Sequence, residues 1–365
     1  MKKIYFLFFI FALLSNLSES IEVLKETKSL SKLIGKVKKE VVEKARLNLP
    51  NKSDANILKM LTQMKKAKEE YSLTDVDSAY LVFKWISKNF VAEIPDGREE
   101  LTEVYKSGRG NSLGLSALFN GMCSFLNLET GTINGYYKRI NEDDLESPGY
   151  VDFSWNYLVI DGENYLLDVA MGCEIERAGF DTPLKDAFFG NNPEIFIRFH
   201  FPKESKWQLL AEPYTFEKFQ SMAFIYPFFY HFDIKSFSPD VNKVSGSGKI
   251  TITSNESVDI TKVEALTVSL SSHNFDLNEV SVSDGKIEIK YNYDKDQDIT
   301  VILLKTKNFD DFLPILSYIV DHSKKSSKNL RRMSSFNSNN KIGNDLIRKV
   351  YKKVKLFQSK KEKKN

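Results

Sequence analysis

Ser112 lies between two glycines, where a tight loop, Gly108-Arg109-Gly110, feeds an apolar helical pattern. Gly108 and Gly110 permit backbone conformations and close approaches that other residues resist, and Asn111 or Ser112 can cap the helix that follows. Leu115, Leu118, Phe119 and Met122 recur at helical spacing, with small Gly114 and Ser116 where another element could lie close. A side chain at such a helix N-terminus is well placed as a nucleophile, because unpaired amides and the helix dipole favour negative charge. Acyl transfer from a hydroxyl there requires a base to take its proton. Asp168 follows a hairpin pattern, and the four histidines, His200, His231, His273 and His322, all lie well downstream.

Gly110-Asn111-Ser112-Leu113-Gly114 followed by Leu118-Phe119 resembles the nucleophile loop of the transglutaminase-like superfamily, roughly Gly-x-Cys-x-Gly-x-x-x-Leu-Phe. Phe153-Ser154-Trp155-Asn156 is similar to that family's His-x-Trp-Asn strand, and Tyr165-Leu166-Leu167-Asp168 to its Tyr-x-x-Asp. Trp85-Ile86-Ser87-Lys88-Asn89 resembles the close of the helix before the nucleophile loop, and Gly135-Tyr136-Tyr137-Lys138 a first core strand. Phe196 to Pro202, then Trp207-Gln208-Leu209-Leu210 and an aromatic-rich helix within Phe216 to Phe232, resemble the kyphoscoliosis-peptidase type of that superfamily. The resemblance covers roughly residues 74 to 232. It implies an α+β fold, a papain-like transglutaminase core, with Ser112, Phe153 and Asp168 at the positions of a Cys-His-Asp triad.

Two of those three positions have therefore changed. In such a triad the thiol gives its proton to histidine, which the aspartate orients. Ser112 is a far more basic nucleophile, and Phe153 puts an apolar ring where the base would stand. Asp168 is then expected to lack an imidazole to orient and to persist for structural reasons. His200 reads as a packing or surface histidine of the family motif. The reading is of a pseudoenzyme, a binding or scaffold protein. The alternative is a Ser112-dependent hydrolase or acyltransferase with an unrecognised base. No cofactor or metal is called for: the histidines are scattered, Cys123 and Cys173 are far apart, and no Walker-type loop occurs.

The elements that must position these residues are legible in order. Residues 1–20, with Lys2, Lys3 and an apolar run from Ile4 to Leu14, read as a secretory signal peptide, so the protein is expected in the secretory pathway. The sequons at Asn51 and Asn255 are compatible with export. A helical region follows over 21–73, its first helix ending near Leu47 because Pro50 cannot continue the ladder. Thr74 can cap the first helix of a domain over 74–235. Trp155 to Ile160 and Asn164 to Val169 should form a hairpin around Asp161-Gly162. After Ser236, alternating runs at 249–253, 265–270, 286–291 and 299–304 predict a small β-sandwich over 236–315, immunoglobulin-like in outline.

The apolar fraction of 42% and charged fraction of 28% are those of an ordinary globular protein. The net charge of +3 hides an asymmetry: residues 322–365 hold fifteen Lys and Arg against Asp345 and Glu362. Between Leu346 and Phe357 the apolar positions of this basic tail recur at helical spacing. It suits an anionic membrane surface or a glycan, nucleic acid being the least natural partner for an exported protein, and the cleft suits a protein or peptide partner. Two cysteines exclude a disulfide scaffold, and whether they pair stays open.

Overall fold

Helix Lys39–Leu47 stops short of Pro50, as the missing proline amide requires. In this computed structural model, residues 33–93, 97–139, 149–178, 186–226, 229, 234–254, 264–269, 275–283, 285–292, 299–306 and 309–320 are described. The expected signal peptide, the Asn255 sequon, His231, His273 and the basic tail lie outside them. Among the described residues no helix is long and apolar enough to cross a membrane.

A second helix, Ile57–Glu70, is capped by the Asn56 side chain. Thr74 then closes a capping box: its hydroxyl accepts from the Asp77 amide at 3.2 Å, and the Asp77 carboxylate accepts from the Thr74 amide at 3.1 Å. The same carboxylate accepts from the Lys38 amide at 2.8 Å, which ties the first helix to the third, Asp75–Asn89. Trp85 donates to the Pro50 carbonyl at 3.1 Å. Helix Asp75–Asn89 is buried on nearly every side, beyond the single apolar face its periodicity predicts, because helices Lys39–Leu47, Ser112–Phe125 and Val169–Ala178 all pack on it.

Two short strands, β1 (Val91–Ala92) and β2 (Arg109–Gly110), pair in parallel and deliver the chain to the Ser112 helix. Beyond that helix, β3 (Thr130–Arg139), β4 (Gly149–Ile160), β5 (Glu163–Leu167), β6 (Phe189–Asn191) and β7 (His200–Pro202) form an antiparallel sheet ordered β6-β5-β4-β3-β7. The β4–β5 turn is at Asp161-Gly162, both with positive φ (55° and 80°), the geometry that a two-residue hairpin demands.

The expected aromatic helix within 216–232 is shorter than its composition suggests. Within it the α-helix is Phe216–Ser221, after which the chain enters β8 (Phe224–Ile225). Bulky aromatics favour a strand as readily as a helix, and β8 finds a partner in β17 (Phe309–Val320).

The remaining strands build two further sheets. They are β9 (Ile234–Ser238), β10 (Lys243–Val244), β11 (Ser247–Ser254), β12 (Glu264–Ser269), β13 (Phe275–Leu277), β14 (Val280–Ser283), β15 (Lys286–Asn292) and β16 (Ile299–Thr306). One sheet runs β10-β17-β16-β12-β13 with β8 on β17; the other runs β14-β15-β11-β9. Ile250 and Ile252 on β11 and Ile287 and Ile289 on β15 alternate with more exposed neighbours, so one face of the second sheet is apolar and buried. All four predicted strands are present. The boundary expected between residues 235 and 236 falls inside β9, and β17 continues past residue 315.

Charged side chains join the core sheet to these strands. Arg198 grips Asp240 through two hydrogen bonds of 2.9 and 2.6 Å. Lys138, on β3 and fully buried, donates to the carbonyls of Phe219, Gln220 and Met222 at 2.8, 3.5 and 2.6 Å. Burial, aided by the Arg198 charge, brings its ammonium down to about 7. The fourth residue of the Gly-Tyr-x-Lys phrase is thus a bolt between the core and the helix Phe216–Ser221.

Candidate functional site

Asn111, rather than Ser112, caps the central helix: its side chain accepts from the Gly114 amide at 2.9 Å, leaving Ser112 as the first helical residue. Ser112 is only 5% exposed. Its hydroxyl accepts from the Ser154 amide of β4 at 3.1 Å. One turn on, Ser116 donates to the Ser154 carbonyl at 3.3 Å, and Asn156 donates to the Ser116 carbonyl at 3.0 Å. Of the two small positions expected to admit a neighbour, Ser116 meets β4 together with Ser112, whereas Gly114 lies against the backbone of Arg98 and Glu99.

Asp168 follows β5 and is fully buried. One carboxylate oxygen accepts from the Met171 amide at 2.9 Å, capping helix Val169–Ala178. The other lies 2.7 Å from His200 Nε2. This overturns the expectation that Asp168 has no imidazole to orient. His200 is not a surface residue: it is fully buried, and β7 carries it to Asp168 from the far side of β3.

The imidazole sits in an aromatic box. Phe196 stacks on it at 4.0 Å between ring centroids, with Trp155 at 4.9 Å, Tyr137 at 5.1 Å and Phe153 at 5.6 Å. Phe153 also packs on Tyr137 at 4.9 Å. The box follows from register, since Gly135 of β3 pairs with Phe153 on one side and Pro202 on the other, while Tyr137 pairs with His200. His200 Nδ1, on the other side of the ring from Asp168, has no hydrogen-bond partner among the described residues. Burial, with the Asp168 charge adding to it, pushes the Tyr137 phenol up and keeps it neutral.

The structure therefore unites Asp168 with His200 and Phe153, and fixes Ser112 on the backbone of β4. Among the described residues, no hydrogen bond joins the Ser112 hydroxyl to a histidine, lysine or carboxylate, and His200 Nδ1 is not bonded to it. Ser112 as it stands has an amide donor where a base should be, which lowers its nucleophilicity. Sequence reasoning missed the role of His200. The available signal was two ionisable residues, Arg198 and His200, inside the otherwise apolar run Phe196 to Phe201, each of which calls for a partner if buried.

Cys123 and Cys173 are both buried free thiols. Burial pushes both well up, so neither is a reactive thiolate. No group of three or more His, Cys, Asp or Glu suited to a metal ion occurs among the described residues.

A two-layer site of this kind, a helix N-terminus laid on an antiparallel strand beside an Asp-His pair, invites comparison with known proteins. Human kyphoscoliosis peptidase is 25% identical over 191 residues, covering 49% of this chain and 29% of the relative, and the mouse protein of that name matches equally. A LIM and transglutaminase domain protein, ltd-1, of Caenorhabditis elegans is 26% identical over 185 residues, covering 44% of this chain and 25% of that protein. The chain spans less than a third of the length of these curated relatives. No family model matches it. Among solved structures, a proposed cysteine protease from Cytophaga hutchinsonii has TM-score 0.23 at 14% identity, over 30% of this chain and 38% of the other. A TGase has TM-score 0.24 at 11% identity, over 47% and 39%. Scores that low carry no argument. The similarity to the kyphoscoliosis peptidases supports assigning the chain to the transglutaminase-like superfamily.

Proposed function

We propose that this protein is a secreted transglutaminase-like pseudoenzyme, with a papain-like core and an immunoglobulin-like sandwich, that acts as a binding or scaffold protein. The observation that carries this reading is the bonding of Ser112: its hydroxyl is buried and held by the Ser154 amide, with no base bonded to it among the described residues. Phe153, where the resemblance places the histidine, packs on Tyr137 and His200. The relatives are named as a peptidase and a transglutaminase domain protein, and it is the motif resemblance that puts Ser112 and Phe153 at two positions of that family's triad. Its partner is a protein or peptide, and the basic tail adds affinity for anionic membrane or glycan surfaces.

The second reading, a Ser112-dependent hydrolase or acyltransferase, gains support from one observation, the 2.7 Å contact between Asp168 and His200. A positioned base contributes typically 10²–10⁴-fold, so the two readings separate in a turnover assay. Peptide hydrolysis and amine incorporation into a glutamine-containing protein should be the same for the unmodified protein and Ser112→Ala. Turnover lost in both Ser112→Ala and His200→Gln would establish the second reading.

A further inference from the structure

The turn that joins helix Lys39–Leu47 to helix Ile57–Glu70 is pinned to the core from both ends. The Pro50 carbonyl accepts from the Trp85 indole at 3.1 Å, and the Ala55 carbonyl accepts from the Tyr105 hydroxyl at 2.9 Å. Between them the Lys52 amide donates to the Asn89 side chain at 3.1 Å, and the Lys52 ammonium to the Lys106 carbonyl at 2.7 Å.

Asn51 stands among these anchors and is itself exposed. Its backbone is extended (φ −67°, ψ 159°), and its carbonyl accepts from the Asp54 amide at 3.0 Å to close the turn Lys52–Asp54. The Asn51 side chain makes no capping bond to that turn. Ser53 is exposed as well, its hydroxyl donating to the Asp54 carboxylate at 2.9 Å. Asn51-Lys52-Ser53 is thus an Asn-x-Ser sequence with no proline at its centre, held on the surface of the fold. Leu47 and Leu58, on either side of it in the chain, are the most exposed large apolar residues among those described, at 67% and 64%.

We propose that Asn51 is an acceptor site for an asparagine-linked oligosaccharide, an inference that rests on the secretory part of the proposed function. The Asn51 amide nitrogen forms a bond to the anomeric carbon of a lipid-pyrophosphate-linked oligosaccharide. The bond from that carbon to pyrophosphate breaks, the lipid pyrophosphate leaves, and the amide gives up one proton. The product is bulky and solubilising, and the exposed position of Asn51 accommodates it without disturbing the anchors on Pro50, Lys52 and Ala55.

Two versions of the full chain are expressed in cultured animal cells, both carrying Asn255→Gln to remove the other sequon beyond residue 20. One begins with its own residues 1–20, and the other has an established secretory leader ahead of the whole chain. Protein from the medium and the microsomal lumen is digested with peptide-N-glycosidase in heavy-oxygen water, and the peptide holding residue 51 is mapped by mass. With the added leader, digestion should lower the apparent mass and leave a labelled aspartate at position 51. Asn51→Gln and Ser53→Ala should abolish both signals, and Ser53→Thr, which keeps the acceptor sequence, should retain them. A leader-bearing protein recovered from the lumen or medium with Asn51 unmodified would overturn the site. Label at position 51 with the added leader but not with residues 1–20 alone would uphold the acceptor site and contradict the secretory reading instead.

Discussion

Asp168→Ala should destabilise the protein by about 3–5 kcal/mol, the cost of removing one member of a buried, hydrogen-bonded pair. Two buried groups lose their acceptor at once, the Met171 amide and His200 Nε2. The loss of the cap on helix Val169–Ala178 alone is worth about 0.5–2 kcal/mol. The imidazole cannot turn to solvent, since it is fully buried with Phe196, Trp155, Tyr137 and Phe153 around it. Asp168→Asn keeps an acceptor for the Met171 amide and an amide group facing the imidazole, so its cost should fall to roughly 1–2 kcal/mol. Urea denaturation followed by tryptophan fluorescence measures both, with Trp155 in contact with the histidine as the local probe. A loss below about 1 kcal/mol for the alanine variant would mean that the pair does not hold the sheet together.

Gly135→Val should be as damaging for a steric reason. A Cβ at this position would stand 2.2 Å from the Phe201 carbonyl oxygen, 2.5 Å from the Trp155 ring and 2.8 Å from Pro202 Cα. Two of these contacts are backbone, so no rotamer change relieves them, and β7 must move away from β3. The movement takes His200 with it, since Tyr137 and His200 are paired across the same two strands. Overpacking usually costs about 1–3 kcal/mol, and the added loss of the Asp168 contact should bring this variant to the upper end or beyond. Near-ultraviolet circular dichroism should lose the signal of the aromatic box, and a variant with native stability and spectrum would contradict the register.

The elements around Ser112 were legible because local rules govern them. The capping box at Thr74, the Asp161-Gly162 turn, the tight approach at Gly114 and the close contact at Ser116 each depend on a few neighbouring residues. The reach of His200 to Asp168 depends instead on strand order, and β7 lies two strands beyond β4, a placement no local pattern encodes. The same limit hid β17, whose polar start, Asp310-Asp311, and interior Pro314 obscure the alternation of a strand that nonetheless pairs with three others. The expectation of an unaccompanied Asp168 failed for this reason, since it treated position 153 as the one place from which an imidazole could come.

Among the described residues, the Asp168–His200 pair has no nucleophile bonded to it, and the Ser112 hydroxyl has no base. The most direct test of this separation is covalent: the folded full-length protein is treated with an alkyl fluorophosphonate, and Ser112 is examined for the adduct by mass spectrometry. The account predicts no adduct at Ser112 above that of other serines. A stoichiometric adduct at Ser112, lost in His200→Gln, would show that the pair activates the hydroxyl and would contradict it.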